Sequence, residues 1–594
     1  MSRHVCTAAV CLFAAMAAVA HVGGQPSIHD TVATILERMR DTLTPEELTS
    51  LTAERVLAFM TEDERQVLGT QFLAFNIDQP ATVHVAWNGP EDSRPFWLEA
   101  RGFTALSAEA RANGRKYEVW TRVFPAGRVE LGYSNIDGRG EQYFTVVQGI
   151  EPGASVDISE VYPGQHRTTD VEEGARIYSD DFDWQLEEYP GAWEGGTIVR
   201  GLEGREDDTL LVNIWRKTDY PATDAPDFVT LTWSDDPKTT QTIQWRTSTA
   251  VEQGAVSFWP AAEDSAPIIV EAERMTQEDP YLANDPVVHR FTATLTGLQP
   301  DTDYRYQVGT GTDGPWCCTA TFSTAPAEPE PFQFIYMGDA QNGLDTWGEL
   351  VHKAYERQPE ARFYVMAGDL VNRGNERDDW DSFFHNATGI YEQRQLIPAI
   401  GNHEDQGPGP WMYLENFTLP RNGPEEIPAE RAYTVEYSNA IFIVLDTNLP
   451  PMRQADWLEE QLANTTATWK FVVHHHPAYS SAPRRDNPQV RRFWSTLYDK
   501  YHVDLVMQGH DHAYLRTQPM YAEEPVDSPA EGTIYVVSVS GTKYYEQADR
   551  EYIAKGMTNT STYQVLDITI DGDSLHYRAF DMAGELRDEF TIEK

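Results

Sequence analysis

Cysteine is nearly absent from this chain of 594 residues, which contains four. Cys6 and Cys11 lie close to the N-terminus, and the other two form the adjacent pair Cys317 and Cys318. The lack of a C-x-x-C pair argues against thiol redox catalysis. Adjacent Cα atoms lie about 3.8 Å apart, closer than an ordinary disulfide prefers. The sequence therefore leaves both a strained vicinal disulfide and two free thiols open.

Positive charge is also scarce. The 46 Lys and Arg residues stand against 93 Asp and Glu residues, and the formal net charge is -47. A field of this sign repels nucleic acids and anionic lipids at long range. The composition therefore predicts no nucleic-acid partner, and it admits a polyanionic ligand only at a local cleft that metal ions neutralise.

A single apolar run, from Val5 to Ala20, approaches the length of a membrane span. Arg3 precedes this run and small residues end it, which is the pattern of an export signal over residues 1–20. Because the run is too short for a comfortable span, we expect a secreted or periplasmic protein without stable membrane insertion. A retained anchor is the alternative.

Hydrophobic periodicity divides the next part of the chain into three segments. Helical spacing indicates a helical segment over residues 27–70, and alternation with turn signals indicates a β-sandwich module over residues 71–148. Residues 149–222 are acidic and irregular, and we expect a β-rich region that completes the preceding sandwich. The module at 71–148 is similar to β-sandwich modules attached to secreted carbohydrate-active enzymes, which implies glycan contact. A structural spacer is the alternative.

Residues 223–326 resemble a fibronectin type III module. The segment from Leu295 to Tyr304 carries this resemblance, since a Tyr at that place returns its hydroxyl to the backbone at a strand corner. A stiff Pro-rich linker ends at Pro331, and strands then alternate with helical stretches over residues 332–594. The expected chain is therefore multidomain, with all-β modules followed by a C-terminal α/β domain.

Five apolar strands of the last segment end in residues that can bind metals. These ends carry Gly338-Asp339, Gly368-Asp369, Gly401-Asn402-His403-Glu404, His474-His475-His476 and Gly509-His510-Asp511-His512. Ligands of α/β sheets bind just beyond the carboxyl ends of strands, so we expect these side chains to converge. Carboxylate oxygens and imidazole nitrogens suit divalent Mn, Fe or Zn, and the glycines let the backbone turn sharply beside the ions.

This ordered series resembles the calcineurin-like metallophosphoesterase superfamily, and the preceding β module makes the chain similar to purple acid phosphatases in particular. The resemblance covers residues 223–594. It implies that the C-terminal domain is a two-sheet αββα sandwich that binds two divalent metal ions. It also implies a ligand set, in which Asp369 bridges both ions, Asp339 and His512 hold the first ion, and Asn402, His475 and His510 hold the second.

The resemblance further implies roles in catalysis for His403, Asp369 and His476. His403 matches the family histidine that assists the leaving group or steadies the transition state, and Glu404 would orient it. His476 would face the substrate. Asn402 and His403 would contact the phosphoryl group. The family's further substrate-facing His residues after the His-x-Pro motif are not evident here, and Arg484 stands in that stretch, where its planar guanidinium fork would suit a phosphate oxygen. A solvated loop is the alternative for Arg484 and its neighbour Arg485.

Two positions depart from the family pattern. Purple acid phosphatases have a chromophoric Tyr three residues after the bridging Asp, and here that position is Asn372. The wider superfamily often has His two residues after the first Asp, and here that position is Gln341. We therefore expect no violet colour and a metal pair drawn from Mn, Fe or Zn. Whether Asn372 or Gln341 serves as a ligand of the first ion stays open.

The function expected from these residues is hydrolysis of small phosphate monoesters by a metal-activated hydroxide, outside the cytoplasm. A phosphodiesterase or a nucleotide pyrophosphatase on the same core is the alternative enzyme, because leaving-group pockets lie on variable loops. The alternative of a different class is a glycan-binding surface protein with a weakened phosphatase core.

Overall fold

The computed structural model describes residues 27–134, 136–151, 154–181, 183–202, 210–262, 266–483, 485–569 and 573–594. The predicted export signal, residues 1–20, lies outside the described residues. The chain divides into two compact units, Met1–Arg216 and Lys217–Lys594. Among the described helices, none is both long enough and apolar enough to cross a membrane.

The first unit begins with short helices that have capped N-termini. Its helices are α1 (Ile28–Thr42), α2 (Pro45–Thr49), α3 (Ala53–Phe59), α4 (Glu62–Leu68) and α5 (Trp97–Ala100). Ser27, Thr44 and Thr61 each form a capping box with the acidic residue three positions later, which satisfies N–H groups that the helix leaves free. Ile35 and Met39 lie on the buried face of α1, as their helical spacing predicts.

The strands of the first unit form two sheets. They are β1 (Leu73–Ile77), β2 (Ala81–Trp87), β3 (Thr104–Ala112), β4 (Arg115–Phe124), β5 (Gly127–Leu131), β6 (Phe144–Gly149), β7 (Ile158–Tyr162), β8 (Thr168–Asp170), β9 (Leu186–Glu188) and β10 (Thr197–Val199). One sheet has the order β5-β1-β7 and the other β8-β10-β6-β2-β4-β3-β9. Strands from residues 149–222 thus lie in the same two sheets as those from residues 71–148.

The second unit begins with a β-sandwich of two four-stranded sheets. Its strands are β11 (Asp227–Thr232), β12 (Thr240–Thr247), β13 (Ala255–Pro260), β14 (Ile268–Glu271), β15 (Glu273–Glu278), β16 (Val287–Thr296), β17 (Asp303–Gly309) and β18 (Trp316–Ser323), in the orders β11-β12-β16-β15 and β14-β13-β17-β18. The Gln299 N–H donates to the Tyr304 hydroxyl at 2.9 Å, which is the expected corner contact. Cys317 and Cys318 form a vicinal disulfide, one of the two states that the sequence left open.

The C-terminal part contains the remaining strands and helices. The strands are β19 (Phe332–Met337), β20 (Ala361–Met366), β21 (Gln395–Pro398), β22 (Tyr433–Tyr437), β23 (Ala440–Val444), β24 (Trp469–Val473), β25 (Leu505–Gln508), β26 (Tyr514–Thr517), β27 (Met520–Tyr521), β28 (Glu524–Pro525), β29 (Ile534–Val537), β30 (Ile553–Met557), β31 (Thr562–Ile568), β32 (Ser574–Asp581) and β33 (Leu586–Glu593). The helices are α6 (Leu344–Arg357), α7 (Arg377–Asn386), α8 (Trp411–Asn416), α9 (Met452–Asn464), α10 (Pro488–Val490) and α11 (Thr496–Tyr501).

Two large sheets organise this part, with the orders β21-β20-β19-β31-β32-β33 and β22-β23-β24-β25-β29-β26-β30. Phe442 of β23 belongs to the core between the sheets, where its ring lies 5.1 Å from that of Phe334. The adjacent Ile443 faces the other way and packs in a second core with Leu458 of α9. Helices α6 and α7 cover the six-stranded sheet. The predicted fold class, β modules followed by a two-sheet αββα sandwich, is confirmed.

Candidate metal centre

The strands that precede the predicted ligands are parallel neighbours, so their C-terminal ends gather at one edge. In the six-stranded sheet β19, β20 and β21 are parallel, and in the seven-stranded sheet β24 and β25 are parallel. The Tyr336 hydroxyl donates to the Gln508 carbonyl and accepts from the Gln508 N–H at 2.8 Å. This pair ties the end of β19 to the end of β25, so loops from both sheets meet.

Two groups of side chains each bring three metal-binding atoms within 4.8 Å of one another. The first group is Asp339, Asp369 and His512, and the second group is Asp369, His475 and His510. Asp369 belongs to both groups and is 1% exposed. A carboxylate shared in this way is placed to bridge two cations. The structure thus brings together five of the residues that the resemblance implies as ligands.

Asn402 lies at the second group. Its Oδ1 is 3.1 Å from His475 Nε2 and 2.8 Å from His510 Nδ1. His475 Nδ1 donates to the Ala367 carbonyl at 2.9 Å, so its other ring nitrogen, Nε2, faces the group. Two imidazole nitrogens, an amide oxygen and a carboxylate oxygen therefore converge. This donor set fits Mn, Fe or Zn.

The first group is held by the backbone of the His-x-His segment. The His510 N–H donates to both oxygens of the Asp339 carboxylate, at 2.8 and 2.7 Å. His512 Nε2 lies 3.7 Å from Asp339 Oδ1. The side-chain amide of Gln341 also reaches this group, since its Nε2 is 2.9 Å from Asp369 Oδ2 and 3.1 Å from His512 Nε2.

The backbone at four of these residues is left-handed, with φ of 53° at Asp339, 53° at Asp369, 75° at His510 and 45° at His512. Such conformations cost on the order of 1–3 kcal/mol each outside glycine, and they persist where the surrounding structure dictates them. Gly401 is needed beside them, because a Cβ at that position would collide with the carboxylate and the backbone N of Asp369.

Glu404 joins the loops that carry the ligands. Its buried carboxylate accepts hydrogen bonds from the N–H groups of Asp369 and Gly401 at Oε2, 2.9 and 2.7 Å away, and from those of Leu370 and Val371 at Oε1, 2.8 and 3.2 Å away. Among the described residues, every hydrogen bond of the Glu404 carboxylate comes from a backbone N–H group, so the expectation that it orients the imidazole of His403 was wrong. No motif in the sequence indicates these hydrogen bonds, since only folding brings the four backbone N–H groups to the Glu404 carboxylate.

The imidazole of His403 is oriented by a carbonyl instead. Its Nδ1 donates to the Asn372 carbonyl at 2.5 Å, and its Nε2 lies 3.9 Å from Asp369 Oδ2. The Asn372 side chain points elsewhere, because its Oδ1 accepts from Asn342 Nδ2 at 3.4 Å. Among the described residues, Asn372 makes no hydrogen bond to any member of the first group.

His476 borders the second group. Its Nδ1 lies 2.7 Å from the Thr447 hydroxyl, and its ring centroid lies 4.2 Å from that of His510. Burial is the main reason that the pKa of His476 falls to about 3. His476 is therefore a neutral imidazole at the edge of the group.

A cationic margin lies beside the site. Arg484 is outside the described residues. Arg485 donates to the His510 carbonyl at 3.1 Å and stacks on the ring of Tyr545, with its guanidinium carbon 4.9 Å from the ring centroid. Lys543 approaches the same ring, with Nζ 5.3 Å from the centroid. Sequence reasoning missed Lys543 and Tyr545, because no motif spacing marks them.

Burial dominates the electrostatics of the two groups. Burial raises the pKa of Asp339 well above its ordinary value, and the nearby Asp369 raises it further. Burial also opposes ionisation of Asp369, but the adjacent His475 holds its pKa below the ordinary value. Burial would lower the pKa of His475, yet the two carboxylates raise it to about 9. Burial lowers the pKa of His512 to about 3, so this imidazole is neutral, as a metal ligand must be.

Two family models match the chain. The model described as Purple acid Phosphatase, N-terminal domain, matches residues 226–324. The model described as Calcineurin-like phosphoesterase matches residues 332–514, which include all of the predicted ligands from Asp339 to His512.

Curated relatives are similar over about half of the chain. An uncharacterized protein of Mycobacterium tuberculosis is 27% identical over 325 residues, 48% of this chain and 60% of that protein. The Fe(3+)-Zn(2+) purple acid phosphatase 12 of Arabidopsis thaliana is 26% identical over 352 residues, 54% of this chain and 70% of that protein. Probable inactive purple acid phosphatase 1 of the same plant is 25% identical over 357 residues, 51% of this chain and 57% of that protein. The chain thus spans less than two thirds of the mycobacterial relative.

A solved structure shares the fold. The purple acid phosphatase PPD1 from seeds of yellow lupin (Lupinus luteus) superimposes with a TM-score of 0.54 at 17% identity, over 79% of this chain and 82% of that chain. At this level of identity the likeness concerns the fold alone.

Proposed function

Because the chain is a calcineurin-like, purple acid phosphatase-like protein, we propose that it hydrolyses phosphate monoesters of small molecules. The observation that carries the proposal is that two groups of metal-binding side chains share Asp369 at the ends of parallel strands. A binding module has no need of such a shared carboxylate. The proposed cofactors are two divalent ions drawn from Mn, Fe and Zn, one at each group.

The two groups fit divalent ions by their donor chemistry, which combines carboxylate oxygen with imidazole nitrogen. When bound, two such ions neutralise phosphoryl oxygens and lower the pKa of water enough to supply hydroxide at neutral pH. In a protein with net charge -47, a phosphate ester needs this local positive field to approach.

The chain's own residues position and protonate the ester. His403 is held by the Asn372 carbonyl at Nδ1, so its Nε2 faces the site and, when protonated, can donate to the leaving oxygen. Asn402 directs Oδ1 at the imidazoles of the second group, and among the described residues its Nδ2 makes no hydrogen bond. That amide N–H is available to a phosphoryl oxygen. Arg485 lies at the margin, where Asp511 Oδ1, 3.6 Å from its Nη1, balances part of its charge.

We also propose that the protein acts outside the cytoplasm, in a secreted or periplasmic location. The export pattern of residues 1–20 supports this. The disulfide between Cys317 and Cys318 supports it independently, because disulfides persist in oxidising compartments.

The test uses the purified chain, stripped of metal and then reloaded with Mn, Zn or Fe. Hydrolysis of p-nitrophenyl phosphate is compared with that of the bis(p-nitrophenyl) ester. We expect metal-dependent turnover of the monoester. Faster turnover of the diester would instead assign a phosphodiesterase. Metal binding without turnover of either ester would refute the monoesterase and favour the glycan-binding alternative.

Asp369→Asn supplies the variant for this test. Loss of the shared carboxylate should remove both ions and lower kcat by about 1000-fold or more, since bound metals contribute several kcal/mol of transition-state stabilisation. The matched control is Asp456→Asn, an exposed carboxylate on α9. Wild-type metal content and activity in Asp369→Asn would contradict the assignment.

A further inference from the structure

Gln341 occupies the position from which a fourth ligand could reach the first group. It lies two residues after Asp339, just beyond β19, and it is 3% exposed. Its N–H donates to the Asp369 carbonyl at 3.1 Å, which fixes the backbone. The end of the side chain lies between Asp369 Oδ2 and His512 Nε2, at 2.9 and 3.1 Å.

Described protein atoms satisfy the nitrogen of the side-chain amide but not its oxygen. One heavy atom, the nitrogen, contacts both a carboxylate oxygen and an imidazole nitrogen that the first group needs for a cation. The other heavy atom, Oε1, is buried, and no atom of the described residues hydrogen-bonds to it. Oxygen and nitrogen of an amide exchange places by a half-turn of the terminal torsion, and heavy-atom positions alone do not distinguish the two orientations.

A cation at the first group selects one of these orientations. The candidate ligand atoms of Asp339, Asp369 and His512 lie within 4.8 Å of one another, and a cation that they held would repel an amide N–H beside it. The half-turn replaces the N–H by the carbonyl oxygen, which is a hard neutral ligand. Asn372, the other candidate, has its Oδ1 directed at Asn342 and reaches no member of the first group by a hydrogen bond among the described residues.

We propose that Gln341 is a metal ligand, which binds the divalent ion of the first group through Oε1. This assignment rests on the metal centre of the proposed function, but not on its catalytic activity. It makes the first group a set of two carboxylates, one imidazole and one neutral amide. The shared carboxylate of Asp369 and the carboxylate of Asp339 then balance part of the charge of two divalent ions. Asn372 stands where purple acid phosphatases have a chromophoric Tyr, so that position offers no phenolate for a trivalent ion.

Metal binding tests the assignment without any substrate. The metal-free full chain is titrated with Zn²⁺ or Co²⁺ against a competing chelator, and bound metal is counted by mass spectrometry. Wild type should bind two equivalents. Gln341→Ala should keep the equivalent at the second group and weaken the other by about 10–100-fold, the scale on which altered coordination surroundings change affinity. Asn464→Ala removes an exposed amide at the end of α9; it is the control and should bind two equivalents with wild-type affinity.

Two further variants separate a ligand from a hydrogen-bond donor. A ligand role predicts that Gln341→Glu binds the first ion at least as tightly as wild type, because it offers an anionic oxygen. A donor role predicts weaker binding, because the new carboxylate repels Asp369. Gln341→His should retain two equivalents and change the Co²⁺ absorption spectrum, since nitrogen replaces oxygen. These variants keep the test decisive if the Ala variant fails to fold.

Three results would overturn the proposal: wild-type affinity in Gln341→Ala, loss of the first ion in Gln341→Glu, or an unchanged Co²⁺ spectrum in Gln341→His. Failure of the proposed function is distinguishable from these. Wild type that binds two equivalents and hydrolyses neither ester would refute the phosphatase and leave the role of Gln341 standing. Wild type that binds no metal would refute both.

Discussion

Replacing Glu404 with Gln is expected to loosen the metal centre while leaving side-chain shape nearly unchanged. The carboxylate accepts four backbone N–H groups, two at each oxygen. An amide keeps one accepting oxygen and turns an NH2 group toward the other two donors. Two buried N–H groups therefore lose their acceptor in either orientation of the amide.

The magnitude follows from the cost of an unsatisfied buried donor, about 1–3 kcal/mol each. At pH 8 this loss is offset, because burial raises the pKa of Glu404 from 4.5 to about 7, and its ionised form therefore costs the folded state up to about 3 kcal/mol that the Gln variant does not bear. We therefore expect a small net change in Tm, and metal affinity is the decisive readout. The donors on Asp369 and Gly401 belong to different loops. Their separation should also weaken metal binding by about 10–100-fold, as changes outside the coordination shell typically do.

The assay is thermal unfolding of the metal-free chain, followed by metal titration of the folded protein. Burial raises the pKa of Glu404 to about 7, so we would measure at pH 8, where the carboxylate is ionised. Glu436→Gln, at an exposed position of β22, is the control and should change neither quantity. Unchanged metal affinity in Glu404→Gln would refute the role of Glu404 as a clamp.

Two other predictions concern packing and pH. Gly401→Ala should bind less metal and lose about 1–3 kcal/mol of stability, because the added Cβ meets the Asp369 carboxylate. Gly191→Ala, which has open space around the added Cβ, is the control and should match wild type in metal content and Tm. Burial raises the pKa of Glu415 from 4.5 to about 7, so the native state retains a proton that the unfolded chain releases, and stability falls as pH rises between these values. Denaturation curves should therefore show that Glu415→Gln is as stable as wild type at pH 4 and up to about 3 kcal/mol more stable at pH 8. Equal stability of the two proteins at pH 8 would contradict the raised pKa of Glu415.

The convergence of the ligands could be predicted from sequence because each lies within a few residues of a strand end. Parallel strands deliver their C-terminal ends to one edge, so Asp339, Asp369 and His475 come together once the strands pair. The short strands of residues 149–222 were not predictable in the same way. β8 (Thr168–Asp170) and β10 (Thr197–Val199) have three residues each, which is too few for a period of two to show.

Contacts that depend on the path of a loop could not be predicted. Asn372 and Gln341 were equal candidates in the sequence, since each lies two or three residues after a motif Asp. The structure separates them, because the Asn372 side chain contacts Asn342 and the Gln341 side chain reaches Asp369. Lys543 joins Arg485 at the ring of Tyr545 only because the chain folds back across the site.

Hydrogen bonds within the protein hold the acidic side chains and loops of the metal centre. Asp339 and Asp369 adopt left-handed backbone at φ 53°, and both carboxylates are buried, which are costs that a metal-free chain must bear. Backbone donors hold the acids in place, since Glu404 fixes the loop of Asp369 and the His510 N–H fixes Asp339. A site held this way binds ions without reorganising its loops. Among the described residues no partner holds Oε1 of Gln341, so we expect this amide to turn when an ion binds at the first group.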